Sequence, residues 1–110
     1  RIWDGPQHDW FTGGVSCLTV RPWTLTNELS RVGVRLEVGN FPTSTRAQPA
    51  MASIGLAVGA IQITPAGAPI VMLANHPTTG GYPVIGVVDP DDLADLAQTR
   101  PGESVRFRRA

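Results

Sequence analysis

The sequence predicts a small, mainly β domain, a barrel or sandwich with one short helix near its C-terminal end, and three observations carry that prediction. Gly 12 and Pro 10 make up 22 of the 110 residues and recur at short intervals, punctuation that suits turns between short strands. Between them stand short apolar runs of strand length. In Val34-Arg35-Leu36-Glu37 and Val105-Arg106-Phe107-Arg108 apolar and charged residues alternate, which sets one face on a core and the other in water.

The strands expected from these patterns are Val15 to Val20, Gly33 to Glu37, Ala60 to Thr64, Ile70 to Ala74, Val84 to Val88 and Ser104 to Arg108. Six strands suffice to close a barrel or a sandwich. Ile70-Val71-Met72-Leu73-Ala74 does not alternate, the mark of a central strand covered on both faces. Pro65-Ala66-Gly67-Ala68-Pro69 reads as the turn before it, with Gly67 where a positive φ is needed. The helix is expected at about Pro90 to Gln98. Asp89 suits the cap, Pro90 the first position, Asp91 and Asp92 the positive dipole end, and Leu93 and Leu96 share a face. Arg100-Pro101-Gly102-Glu103 then turns the chain into the last strand. The segment Phe41 to Met51 has no periodicity and reads as an exposed loop.

Composition narrows the chemistry. Nine basic residues balance nine acidic ones, so a polyanion-binding surface is not expected. Every basic residue is Arg, which excludes a Schiff-base lysine and the lysine of a phosphate-binding loop on this chain. The single cysteine, Cys17, cannot form an internal disulfide and points to a reducing, cytoplasmic setting. It lies in the apolar stretch Val15-Ser16-Cys17-Leu18 and reads as an inert buried thiol. His8 and His76 are the only histidines, too few to suggest a metal centre. No apolar run reaches the roughly 18 residues of a membrane span. Because the chain opens on Arg1-Ile2-Trp3 without an initiator Met, it reads as part of a longer or processed polypeptide.

The densest group of unusual residues is Leu73-Ala74-Asn75-His76-Pro77-Thr78-Thr79-Gly80-Gly81-Tyr82-Pro83. Asn75, His76, Thr78 and Thr79 supply hydrogen-bonding groups, Gly80 and Gly81 allow close backbone approach, and Pro77 and Pro83 stiffen the ends. This is the composition of a binding loop; the plain alternative is a hairpin that needs glycine for its geometry. His76 is the candidate for proton transfer, because imidazole titrates near neutrality. The plain alternative is a histidine that hydrogen-bonds its own loop. Arg31 and Arg35, four positions apart around Gly33, would share a strand face and hold a carboxylate or phosphate, or pair with Glu28 or Glu37 in water. Gln62, inside Ala60-Ile61-Gln62-Ile63, needs partners if buried, and either staples the neighbouring loop or contacts ligand. Trp3, Trp10, Phe11 and Trp23 gather the aromatics early in the chain, for a core or a pocket.

With these blocks quoted, together with Ser30-Arg31-Val32-Gly33-Val34-Arg35-Leu36-Glu37, Pro69-Ile70-Val71-Met72-Leu73-Ala74 and Leu96-Ala97-Gln98-Thr99-Arg100-Pro101-Gly102-Glu103, the sequence resembles the allophanate hydrolase subunit 2 family. Its members are also known as the C subunit of 5-oxoprolinase, or as biotin-dependent carboxyltransferase-like proteins. The resemblance runs from Gly5-Pro6-Gln7 to Val105-Arg106-Phe107, and Thr78-Thr79-Gly80-Gly81-Tyr82-Pro83 is its most specific part. It implies a cyclophilin-like β-barrel, with residues 1–110 forming one domain that corresponds to the C-terminal half of a longer polypeptide. It implies partners, namely allophanate hydrolase subunit 1 or its counterpart, the B subunit of 5-oxoprolinase, and possibly the A subunit as well. With them comes ATP-dependent opening of 5-oxoproline to glutamate. Two further roles are open within the family: a carboxyltransferase module serving biotin, as in urea carboxylase, or a non-catalytic regulatory protein. By the same resemblance Arg31, Arg35, Gln62, Asn75, Thr78, Thr79, Gly80, Gly81 and Tyr82 line the substrate cleft beside His76. Two positions depart from the family pattern: Ile54 stands where a Glu is usual, and Val38 interrupts an Arg-Leu-Glu-Gly run.

Overall fold

Nine strands and one short α-helix make up the computed structural model, which describes residues 1–37, 54–77 and 79–110. The expected loop Phe41 to Met51, Val38, Ser53 and Thr78 lie outside the described residues. In chain order the strands are β1 (Ile2–Asp4), β2 (Trp23–Leu29), β3 (Gly33–Leu36), β4 (Ile54–Gly55), β5 (Ala60–Ile63), β6 (Pro69–Met72), β7 (Thr79–Gly80), β8 (Val84–Val88) and β9 (Ser104–Val105), with α1 (Leu93–Ala97) between the last two. Seven strands form one sheet in the order β1-β8-β5-β6-β3-β2-β9, while β4 and β7 pair as a separate ribbon. The large sheet curls until its edges meet: Ile2 N–H donates to Arg108 O at 2.8 Å and Ala110 N–H to Ile2 O at 2.9 Å. The chain beyond β9 thereby covers the open edge of β1, which leaves few unpaired backbone groups there.

Alternation decides which side chains fill the curled sheet. Val34 and Leu36 on β3, Ile61 and Ile63 on β5, Val71 on β6 and Ile85 on β8 point into one core with Leu18, Trp23, Leu25 and Phe107. Arg106 and Arg108 are exposed on either side of buried Phe107, so the expected alternation persists even though regular pairing stops at Val105. Gly67 holds φ 87 in the turn between β5 and β6, where a side chain would be strained. The expected Ile70 to Ala74 strand is β6, shifted to begin at Pro69 and end at Met72.

The first expected strand, Val15 to Val20, is a correction. Residues Gly14–Leu18 form a 3-10 turn instead. Gly13 and Gly14 take φ 81 and 56, swinging the chain out of extended geometry. Val15 and Leu18, three apart, then eclipse on one side of the turn, and both are buried, at 1% and 0% exposure. The apolar spacing is that of a helix turn rather than of a strand. Cys17 therefore sits on this turn, half-buried, and burial pushes its thiol up to about 11, so it stays protonated and unreactive at neutral pH. Strands β1, β2, β4 and β7 have no counterpart among the expected strands. In β2, Thr24, Thr26 and Asn27 dilute the apolar signal, although Trp23 and Leu25 alternate with them and are buried.

The expected helix is divided into a 3-10 turn over Pro90–Asp92 and α1 over Leu93–Ala97. Asp89 Oδ1 accepts from Asp91 N–H at 3.0 Å, Pro90 opens a 3-10 turn over Pro90–Asp92, and α1 follows with Leu96 buried against the core. Trp3 Nε1–H donates to Asp89 Oδ2 at 3.0 Å. The Asp91 N–H, and then the Trp3 indole, hold the Asp89 carboxyl below its ordinary value of 3.8. The folded carboxyl binds its proton less readily than the unfolded one, so its stabilisation is complete above that ordinary value and is lost as pH falls through the lower folded value. Denaturation profiles between pH 2 and 6 check this: Asp89→Asn, which keeps an oxygen for the cap, is expected to lose less stability on acidification than the unsubstituted chain. Equal losses would contradict it.

Candidate functional site

The outer face of the same sheet carries the site. Residues that alternate away from the core, Ala60 and Gln62 on β5, Ile70 and Met72 on β6, and Gly33 and Arg35 on β3, point to this second face. Ala60, Met72 and Val84 pack there with Leu56 and Ile70 into a small apolar cluster. The ribbon of β4 and β7, in which Ile54 pairs with Gly80 and Gly55 with Thr79, brings its neighbours over that face. Between sheet and ribbon lies an open cavity of about 520 Å³, in the range of small-molecule sites. Ile54 is described only through this backbone pairing.

Gln62 is the unusual wall residue. It is 6% exposed, on a strand otherwise made of Ala60, Ile61 and Ile63, and its Nε2 has no hydrogen-bond partner among the described residues. A buried amide left unpaired costs about 1–3 kcal/mol, so a strand that keeps one invites an explanation in binding. Gly80 is what makes room for it. A Cβ at that position would collide with Gln62 Nε2 and come within 2.9 Å of Leu56 Cδ1.

At the opposite rim Arg35 Nε–H donates to Glu28 Oε2 at 2.8 Å, with side chains 41% and 67% exposed. Such a solvated pair contributes about 0–1 kcal/mol, so it is readily exchanged. Thr26 Oγ1–H donates to Arg35 O at 2.8 Å and fixes the backbone at this position.

The structure brings together Arg35, Gln62, Thr79, Gly80, Gly81 and Tyr82 from the expected set, all on the wall of this cavity. Tyr82 stands at its mouth, 43% exposed. Arg31 is placed elsewhere, and the expected pair of arginines on one strand face is a correction. Ser30 N–H donates to Gly33 O at 3.1 Å, a tight turn that starts β3 only at Gly33. Arg31 is therefore an exposed turn residue, and with Asn75 it lines an adjoining cavity of about 730 Å³ beside Val58, Leu73, Leu93 and Ala97. Asn75 N–H donates to Arg31 O at 3.0 Å, which ties the two together. His76 is not among the residues lining either cavity. Its Nδ1 is hydrogen-bonded to Pro77 O, a bond in which the carbonyl accepts and the ring nitrogen donates. Among the described residues no three His, Cys, Asp or Glu side chains converge on a metal position.

Glu28, Ser30, Leu56, Met72 and Pro77 also line the first cavity and are additions to the set expected from sequence. A signal exists for Met72: the uninterrupted run around it announces cover on both faces, and the outer cover is the site itself. Glu28 reads from sequence only as a solvated partner of Arg35, which it is, though at the rim of a cavity.

The family model described as carboxyltransferase domain, subdomain A and B, matches residues 1–109. The C subunit of 5-oxoprolinase from Haemophilus influenzae is 40% identical over 86 residues, covering 77% of this chain and 27% of that protein. The C subunit of 5-oxoprolinase from Escherichia coli is 32% identical over 108 residues, covering 97% of this chain and 34% of that protein. The chain thus spans about a third or less of the curated relatives it matches. In fold it matches the crystal structure of Kluyveromyces lactis urea carboxylase with TM-score 0.85 at 24% identity, over 96% of this chain and 10% of that one. A curled, mainly β sheet with one short helix is therefore a fold found in that enzyme. By sequence and fold together, the chain belongs to the carboxyltransferase-domain family, subdomain A and B.

Proposed function

We propose that this chain is part of the C subunit of a multi-subunit 5-oxoprolinase, and that the cavity between Arg35 and Gln62 holds the cyclic amide that the complex opens to glutamate. The observation that carries the reading is the buried Gln62 amide, unpartnered among the described residues, in the wall of a cavity and in a chain 40% identical over 86 residues to a protein named as that subunit. The partners in this reading are proteins like the B and A subunits of 5-oxoprolinase, in the cytoplasm. The described residues form no P-loop-type site for ATP. The chain has no Lys, and Gly80 belongs to a ribbon strand with its backbone against Gln62 rather than to a loop that cradles phosphates before a helix. Nucleotide binding is accordingly assigned to a partner protein. His76, the chain neighbour of Pro77 on the cavity wall, is the proposed proton-transfer residue.

The test is co-expression of the full-length protein with its partners, followed by assay of glutamate released from 5-oxoproline. Release is expected only with ATP, and equal release without ATP would contradict the reading. In the same assay His76→Ala is expected to lower kcat with the complex intact; unchanged turnover would favour a regulatory role. A second reading is carboxyl transfer to a urea-like amide, which the family description favours. It requires turnover dependent on bicarbonate and a biotinylated carrier.

A further inference from the structure

We propose that the cavity recognises a small molecule bearing a neutral carbonyl at one end of a short apolar skeleton and a carboxylate at the other, with Gln62 reading the carbonyl and Arg35 the carboxylate. This deepens the reading of the same cavity given above and rests on it for the natural ligand.

Strand register carries the inference. Arg35 pairs with Ile70 on β6, and Ile70 with Gln62 on β5, so the three side chains stand in one row across adjacent strands. Neighbouring strands lie about 4.8 Å apart, which puts the Arg35 and Gln62 backbones roughly 10 Å from each other. Arg35 reaches toward Glu28 on β2 and Gln62 toward Gly80 of the ribbon, so the space above Ile70 lies between them with room for a few carbon atoms. The row is polar, apolar and polar in sequence, and a complementary ligand has the same order.

Its two ends differ in burial, and burial assigns the groups. Gln62, at 6% exposure, offers an N–H without a partner among the described residues. A neutral donor in a desolvated pocket favours a neutral carbonyl oxygen, because stripping water from a carboxylate is far more costly. Arg35 is 41% exposed, and Glu28 takes its Nε–H. The planar guanidinium carries further N–H groups able to grip a carboxylate in pairs while the charge stays partly hydrated. Gly80, with no side chain, lets the ribbon backbone close over the carbonyl end.

The experiment measures binding of 5-oxoproline and of its methyl ester, which keeps the carbonyl and removes the charge, to the assembled complex. The unsubstituted complex is expected to bind the acid about tenfold more tightly than the ester. Arg35→Met is expected to bind both alike, at the affinity of the ester. Gln62→Leu is expected to weaken acid and ester together by about tenfold while keeping the ratio between them. Gln62→Met, similar in size, uncharged and without the donor, carries the same expectation should the leucine variant fail to fold.

An acid-to-ester ratio that survives Arg35→Met, acid binding unchanged by both Gln62 variants, or no binding of the acid at all would overturn the proposal. Failure of the enzymatic reading looks different: the binding pattern holds, but ATP yields no glutamate. Conversely, glutamate formed with an unchanged KM in the Arg35 and Gln62 variants would sink the recognition scheme and leave the enzymatic reading standing.

Discussion

A Gly80→Ala variant is expected to fold and to lose affinity for 5-oxoproline by about tenfold or more. The added Cβ collides with Gln62 Nε2 and presses on Leu56 Cδ1 at 2.9 Å, and both atoms are ends of side chains that can shift. The sheet therefore tolerates the change, with an expected stability loss of about 1 kcal/mol, at the mild end of overpacking. Binding does not tolerate it, because the Gln62 amide must leave its position against the ribbon backbone in the cavity wall. Denaturant unfolding and a binding titration on the same variant separate the two effects. Unchanged affinity would mean that Gln62 does not hold the ligand. A loss of several kcal/mol would instead make Gly80 a requirement of folding alone.

Trp23→Ala carries the largest expected effect on stability, about 3–5 kcal/mol. Trp23 is 2% exposed; it pairs with Val105 on β9, and its Nε1–H donates to Leu18 O at 2.9 Å. One side chain thus fills the core, fixes the 3-10 turn Gly14–Leu18 and helps hold the last strand, while Arg21 caps the ring with its guanidinium 4.0 Å from the centroid. A loss of this size is a large share of the roughly 5–15 kcal/mol that holds a domain folded. Urea unfolding of the full-length protein measures it, and a loss below about 1 kcal/mol would show that the space is filled by relaxation. Trp23→Phe recovers most of the packing but leaves the Leu18 carbonyl without its donor, so an intermediate loss is expected.

Where a feature depends on neighbours in the chain, it was legible. Val34-Arg35-Leu36-Glu37 alternates, and Val34 and Leu36 are buried while Arg35 and Glu37 face outward. Asp89 and Pro90 announce a helical start, and Asp89 caps the 3-10 turn Pro90–Asp92 that leads into α1. Gly67 is expected at positive φ and has it. The motif blocks also carry the family, because Thr79-Gly80-Gly81-Tyr82 and its companions keep their order along the chain. Where local signals conflict, the reading fails: Val15 and Leu18 look like strand residues until the glycines before them turn the chain.

The grouping of the candidate site was not legible, and each instance has a physical cause. Arg31 and Arg35 are separated by the turn at 30–33, which decides where β3 begins. Arg35 meets Gln62 only because two pairings, both through Ile70, place them in one row. Closure of the sheet rests on hydrogen bonds between Ile2 and residues near the far end of the chain. Residue types and their local spacing thus determined β3, β5, β6, β8 and β9, the cap at Asp89, the absence of lysine chemistry and the family, since backbone dihedrals and side-chain period act over a few residues. Strand register, the curl of the sheet and the cover over its outer face decided which polar groups share a cavity and which amide is left without a partner, because those are contacts between segments far apart in sequence.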